Sequence, residues 1–102
     1  MSIKKQYLKR KPLCKVTFRL PKEAIEGAKN VTIVGDFNDW EEEATPLQPL
    51  KSGDYKALLE LEVGKSYQYR YLIDGETWEN DWAADNYVAS PFSGIENSVI
   101  EI

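Results

Sequence analysis

Apolar and polar side chains alternate with a period of two along several short stretches, and no stretch supports a long helix. Cys14, Val16, Phe18 and Leu20 fall on one face of a predicted strand, with Lys15, Thr17 and Arg19 on the other. Tyr55, Ala57, Leu59 and Leu61 repeat the pattern. Tyr67, Tyr69, Tyr71 and Ile73 do so again, sending Gln68, Arg70 and Leu72 to the opposite face. Val31–Val34 is a run of β-branched residues that fits a further strand. The proline-rich segment 45–50 predicts only a short edge strand. Asp74-Gly75 is a hairpin signal returning the chain into Glu76-Thr77-Trp78, and residues 98–102 supply a last strand. Between them, residues 79–97 read as a long irregular segment whose length points to function or a partner. Short strands separated by turns predict an all-β, immunoglobulin-like antiparallel sandwich of the early set type, held by alternating side chains rather than by a cystine.

The stretch Val31–Trp40 organises the rest. Its strand stops at Gly35, and Asp36, Asn38 and Asp39 bring turn chemistry. Phe37 lies one step from the strand and is the expected core anchor. Trp40 precedes Glu41-Glu42-Glu43, so the local sequence offers its indole no apolar pocket and it reads as an exposed ring.

A chain of 102 residues is one domain, able to bury a core without disulfides or a metal. A catalytic barrel needs roughly 250 residues, so a catalytic partner would be another chain and the domain itself is expected not to be an enzyme. Charge is divided unevenly. Residues 1–22 hold eight Lys or Arg and no acid, and the remainder holds five against seventeen, so +8 and −12 sum to the net −4. The division suggests a basic, solvated arm over residues 1–12 ahead of a single domain over residues 13–102. The acidic remainder argues against nucleic acid. The absence of an apolar leader or membrane-length run, with Cys14 the single cysteine, leads to the expectation of a cytoplasmic protein without membrane contact.

Metal and catalytic chemistry find little support. Asp36, Asp39, Asp81 and Asp85 lack the dense spacing of a calcium loop and read as turn and surface acids. Glu79 and Asp81 read as solvated charges rather than a glycosidase pair. With no histidine, zinc and nucleophilic chemistry have few ligands or bases. No cofactor is expected.

Gly35-Asp36-Phe37-Asn38-Asp39-Trp40, followed by Tyr67-Gln68-Tyr69-Arg70-Tyr71-Leu72-Ile73-Asp74-Gly75 and a terminal Asn97, resembles the ordered signature of the family 48 carbohydrate-binding modules. These include the glycogen-binding module of the AMP-activated protein kinase beta subunit and the N-terminal early set domains of isoamylase and glycogen-branching enzymes. The resemblance spans about Val16 to Ile102. It implies an α-glucan ligand, with Trp40 and Trp78 stacking on glucose rings and Arg70 and Asn97 bonding hydroxyls. Trp82 and Phe92 are weaker candidates, Phe92 being the apolar residue nearest to a leucine that caps the sugar in kinase-type members. The alternative is a packing or protein-interaction module, docking on a glycogen-metabolising enzyme or a second copy of itself without binding sugar.

Overall fold

A computed structural model describes residues 1–25, 27–90 and 95–102. Two antiparallel sheets face one another. The first has the order β1 (Ser2–Tyr7), β2 (Leu13–Leu20), β5 (Tyr55–Glu62), β4 (Gln48–Pro49). The second has the order β3 (Val31–Gly35), β6 (Ser66–Ile73), β9 (Glu96–Glu101), β8 (Asn86–Ala89), with β7 (Thr77–Glu79) also on β6. β7 pairs with Tyr71–Ile73 and β9 with Ser66–Tyr69, so the two follow one another beside β6. This is the all-β sandwich that the period-two pattern predicts. Among the described residues no helix is long and apolar enough to cross a membrane.

The alternating rows meet in the core. Cys14, Val16, Phe18 and Leu20 are fully buried against Ile33, Tyr69, Tyr71 and Ile100. Phe18 meets the Tyr69 ring edge-on at 5.3 Å, the geometry favoured by aromatic quadrupoles. Segment 45–49 serves both sheets. Thr45 and Leu47 bond the β3 backbone, and Gln48 and Pro49 pair with β5. One side of the sandwich is thereby closed without a central proline strand.

Three expectations are corrected. The basic arm is not wholly solvated: Ser2–Tyr7 pairs residue for residue with β2. Ile3 and Lys5 lie opposite core residues Phe18 and Val16, and Lys5 Nζ reaches Asp85 Oδ2 at 2.7 Å and the Glu101 carbonyl at 2.9 Å. Segment 79–97 is not irregular throughout, because it contains β8. Asp81 is no surface acid. It is 0% exposed, its Oδ2 accepts both the Tyr69 and Tyr71 hydroxyls at 2.8 Å, and its Oδ1 accepts the Ala83 N–H. Its backbone N–H donates to Ser98 Oγ and its carbonyl accepts the Tyr87 hydroxyl. A buried carboxylate is tolerable when its lone pairs are matched in this way. Burial and the adjacent carboxylate hold both tyrosine hydroxyls well above the ordinary value of 10.0.

Candidate functional site

The turn after β3 presents the first aromatic. Gly35 is needed for space: a Cβ there would lie 2.4 Å from the Gln68 carbonyl oxygen and 2.6 Å from the Tyr69 Cβ. Its φ of −173° is ordinary extended backbone. Phe37 turns inward, its ring centroid 6.4 Å from Phe18 and 6.1 Å from Tyr69. Asn38 closes the turn by accepting the Gly35 N–H and donating to the Ile33 carbonyl and Thr45 Oγ1. The chain then enters the left-handed region at Asp39 and Trp40, with φ of 55° and 56°. Such backbone is uncommon for a bulky side chain, costs on the order of 1–3 kcal/mol, and concentrates at functional sites. Two bonds hold it: Trp40 N–H to the Gly35 carbonyl and Trp40 Nε1 to Asp36 Oδ1, both 2.9 Å.

β6 supplies the centre of the site. Tyr69 and Tyr71 face inward, so Gln68, Arg70 and Leu72 face out. Leu72 is opposite Trp78 on β7 and Thr32 on β3, and Arg70 is opposite Val34. The β6–β7 turn is set by Asp74 and Gly75, both at positive φ, with Asp74 Oδ1 accepting the N–H groups of Lys29 and Asn30. These backbone donors lower the Asp74 pKa below its ordinary value. The hairpin therefore carries Trp78 to the open face, where it is 38% exposed. Trp40, expected as an exposed ring, is instead half-buried, its indole held back over the turn by the bond to Asp36.

Arg70 lies within reach of both indoles, its Cζ 5.9 Å from the Trp40 ring centroid and 5.1 Å from the Trp78 centroid. Both distances are within cation–π range. Desolvation lowers its pKa, yet a guanidinium stays charged at neutral pH. Its Nε is buried without a hydrogen-bond partner among the described residues. Beyond Trp40 the surface is acidic. A hollow of about 350 Å³ is lined by Trp40 and Glu41–Glu43, and an adjoining one of about 280 Å³ by Thr32, Glu42, Glu43, Leu72 and Asp74 among others.

The structure thus brings Trp40, Arg70 and Trp78 together. Asn97 is adjacent but lower: the β6–β9 ladder ends at Tyr69 opposite Ser98, which leaves Arg70 and Asn97 as the next facing positions. Asn97 is only 4% exposed, its Nδ2 donates to Gln68 Oε1 at 3.0 Å, and its Oδ1 is buried and unpartnered among the described residues. Trp82 lies apart. The residue is 63% exposed, its backbone N–H donates to Met1 Sδ, and no ring contact among the described residues joins it to Trp40 or Trp78. Phe92 falls outside the described residues. Sequence reasoning missed Asp36, which ties Trp40 to β6 by also accepting the Gln68 N–H at 2.8 Å. The only signal was its place in the turn. It also gave Gln68 no role.

Comparison with known proteins bears on the same residues. A family model described as the glycogen recognition site of AMP-activated protein kinase matches residues 23–102. The 5'-AMP-activated protein kinase subunit beta-2 of Mus musculus and that of Rattus norvegicus are each 36% identical over 75 residues, covering 72% of this chain and 26% of theirs. The Homo sapiens subunit shows the same identity, with 25% of its length covered. The chain spans about a quarter of the length of these relatives. Since the matched range runs from the turn after β2 to the end of β9, and takes in the turn that presents Trp40 and the hairpin that presents Trp78, the chain belongs to the family of the AMP-activated protein kinase glycogen recognition site.

Proposed function

We propose that this chain is a non-catalytic module that binds α-glucan, as glycogen or a maltooligosaccharide, across Trp40, Arg70 and Trp78. The observation that carries the reading is Arg70 between two indoles at 5.9 and 5.1 Å on the open face of the second sheet. A glucose ring has a face of C–H groups bordered by hydroxyls. Indoles receive the face, and a guanidinium donates to the edge. A neutral ligand also suits a surface where Trp40 borders this cation on one side and the acidic run Glu41–Glu43 on the other.

Magnitudes favour weak single-site binding. If each indole loses on the order of 100 Å² of apolar surface to a sugar, it contributes about 2.5 kcal/mol. Each hydroxyl bond to Arg70 adds about 1.5 kcal/mol. Set against an association cost of about 4 kcal/mol or more, the surplus corresponds to a Kd from tens of micromolar to millimolar. A polymer offering many sites raises the effective affinity. Asn97 belongs to the site as a buried support beneath Arg70 and Gln68. The lone thiol of Cys14, buried in β2, suits the reducing cytoplasm where we place this binding.

Electrophoresis through a gel containing glycogen tests the reading. The chain is expected to be retarded, and Trp78→Ala to migrate freely while melting within a few degrees of the parent. Equal mobility of the parent chain with and without glycogen would remove the proposal.

A further inference from the structure

We infer that Asn80 is a positioning residue for the glucan site: it splices β7 to β9 opposite Arg70 and so fixes where Trp78 and Asn97 stand relative to the guanidinium. The inference rests on the glucan reading above. Beside β6 the ladder is carried first by β9, as far as Ser98 opposite Tyr69, and then by β7, from Glu79 opposite Tyr71. Arg70 falls between the two, and neither strand pairs with it on this side. Asn97, the residue before Ser98, and Asn80, the residue after Glu79, are the chain positions that come to this gap. The central cation of the site thus stands where its sheet is discontinuous.

The half-buried side chain of Asn80 closes that discontinuity. Its Nδ2 donates to the Glu96 carbonyl at 2.8 Å and its Oδ1 accepts the Ser98 hydroxyl at 2.7 Å. Both neighbours of Asn97 in the chain are therefore held by one amide. Ser98 Oγ also accepts the Asp81 N–H at 2.9 Å, so the residue after Asn80 grips the same point. Arg70 Nε and Asn97 Oδ1 are enclosed without partners among the described residues, so these two groups do not fix each other. Asn97 Nδ2 gives one proton to Gln68 Oε1 and keeps the second for a sugar hydroxyl. Trp78 is opposite Leu72, two residues beyond Arg70, which sets it about 7 Å along the strand from the level of Asn97. A binding site tolerates errors of only about 0.5 Å in such spacings, and hydrogen bonds behind the contact surface are what hold it there.

Titration with maltoheptaose tests the assignment, with thermal melting recorded for each variant. Asn80→Ala is expected to weaken binding about fivefold, within the coupling found between residues of one hydrogen-bond network. Asn80→Asp keeps the acceptor for Ser98, loses the donor to Glu96 and is expected to weaken binding as well; it replaces the alanine variant if that one does not fold. Asn97→Ala is expected to weaken binding in the parent and to add less in the Asn80-substituted background than it costs alone. Val16→Ala, a deletion in the buried row of β2 on the other sheet, is expected to melt lower than the parent yet bind with parent-like affinity below its melting range. Parent-like affinity in either Asn80 variant, full additivity with Asn97→Ala, or an equal loss of affinity in Val16→Ala overturns the assignment and leaves the glucan reading standing. Failure of the parent chain to bind maltoheptaose at all overturns both together.

Discussion

Strand β6 serves two regions of opposite character, one on each of its faces. On the inner face, Tyr69 and Tyr71 donate to Asp81, and the carboxylate, amide and carbonyl of Asp81 all have partners. On the outer face, Arg70 Nε and Asn97 Oδ1 are enclosed without partners among the described residues, and the Gln68 amide nitrogen is open. The same period-two alternation thus builds a satisfied polar network that fastens the sheets and, one residue along, an unsatisfied one that a ligand could complete. A buried network of the first kind contributes to folding, whereas one of the second kind holds its hydrogen-bonding capacity in reserve.

The largest effect expected from this contrast comes from the inner face. Asp81→Ala strands two phenol hydroxyls in the core and should cost about 4 kcal/mol of stability, about 2 for each unsatisfied group, read by urea unfolding, and any loss of glucan binding should follow from unfolding alone. On the outer face, Arg70→Lys keeps the charge but loses the planar fork and its stacking. It should weaken glucan binding about fivefold while stability stays within about 0.5 kcal/mol. Smaller again is the strain at Trp40. Trp40→Gly and Trp40→Ala both lack the ring, but at φ 56° glycine should be the more stable of the two by about 1 kcal/mol.

The pH response should be slight near neutrality and grow on the alkaline side. Tyr69 and Tyr71 have folded-state values raised above 10.0. Their contribution is therefore complete below 10.0 and is lost as pH rises toward the folded values, since the unfolded chain ionises first. Melting temperature should fall steadily above pH 10.0, and Tyr69→Phe should make that fall shallower.

Much of this division was legible in the sequence. The alternation of β2, β5 and β6 determines which side chains face inward, and Asp74-Gly75 sets the hairpin that carries Trp78. Phe37 as the core anchor and Asn38 as a turn residue also read correctly, whereas Trp40, expected as an exposed ring, is half-buried, and the clearance that requires Gly35 is set by Gln68 and Tyr69 on the neighbouring strand. Long-range partners were not legible. Lys5 looks like part of a solvated arm until Asp85, 80 residues away, accepts its ammonium. Asp81 looks like a loop acid until two tyrosines from β6 meet it. The short strand β8, four residues long, is too brief to show an alternating pattern and exists because β9 offers an edge. The burial of Asn97 likewise depends on where β9 falls beside β6.

Trp82 provides the most direct test of the central claim, because its exposed ring stands apart from Arg70. In a Trp82→Phe variant the only indoles left are Trp40 and Trp78, and maltoheptaose should change their fluorescence along a saturable curve with a Kd between tens of micromolar and millimolar. A flat titration in that variant, with the parent chain still responding, would place the sugar at Trp82 and contradict a site built on Trp40, Arg70 and Trp78.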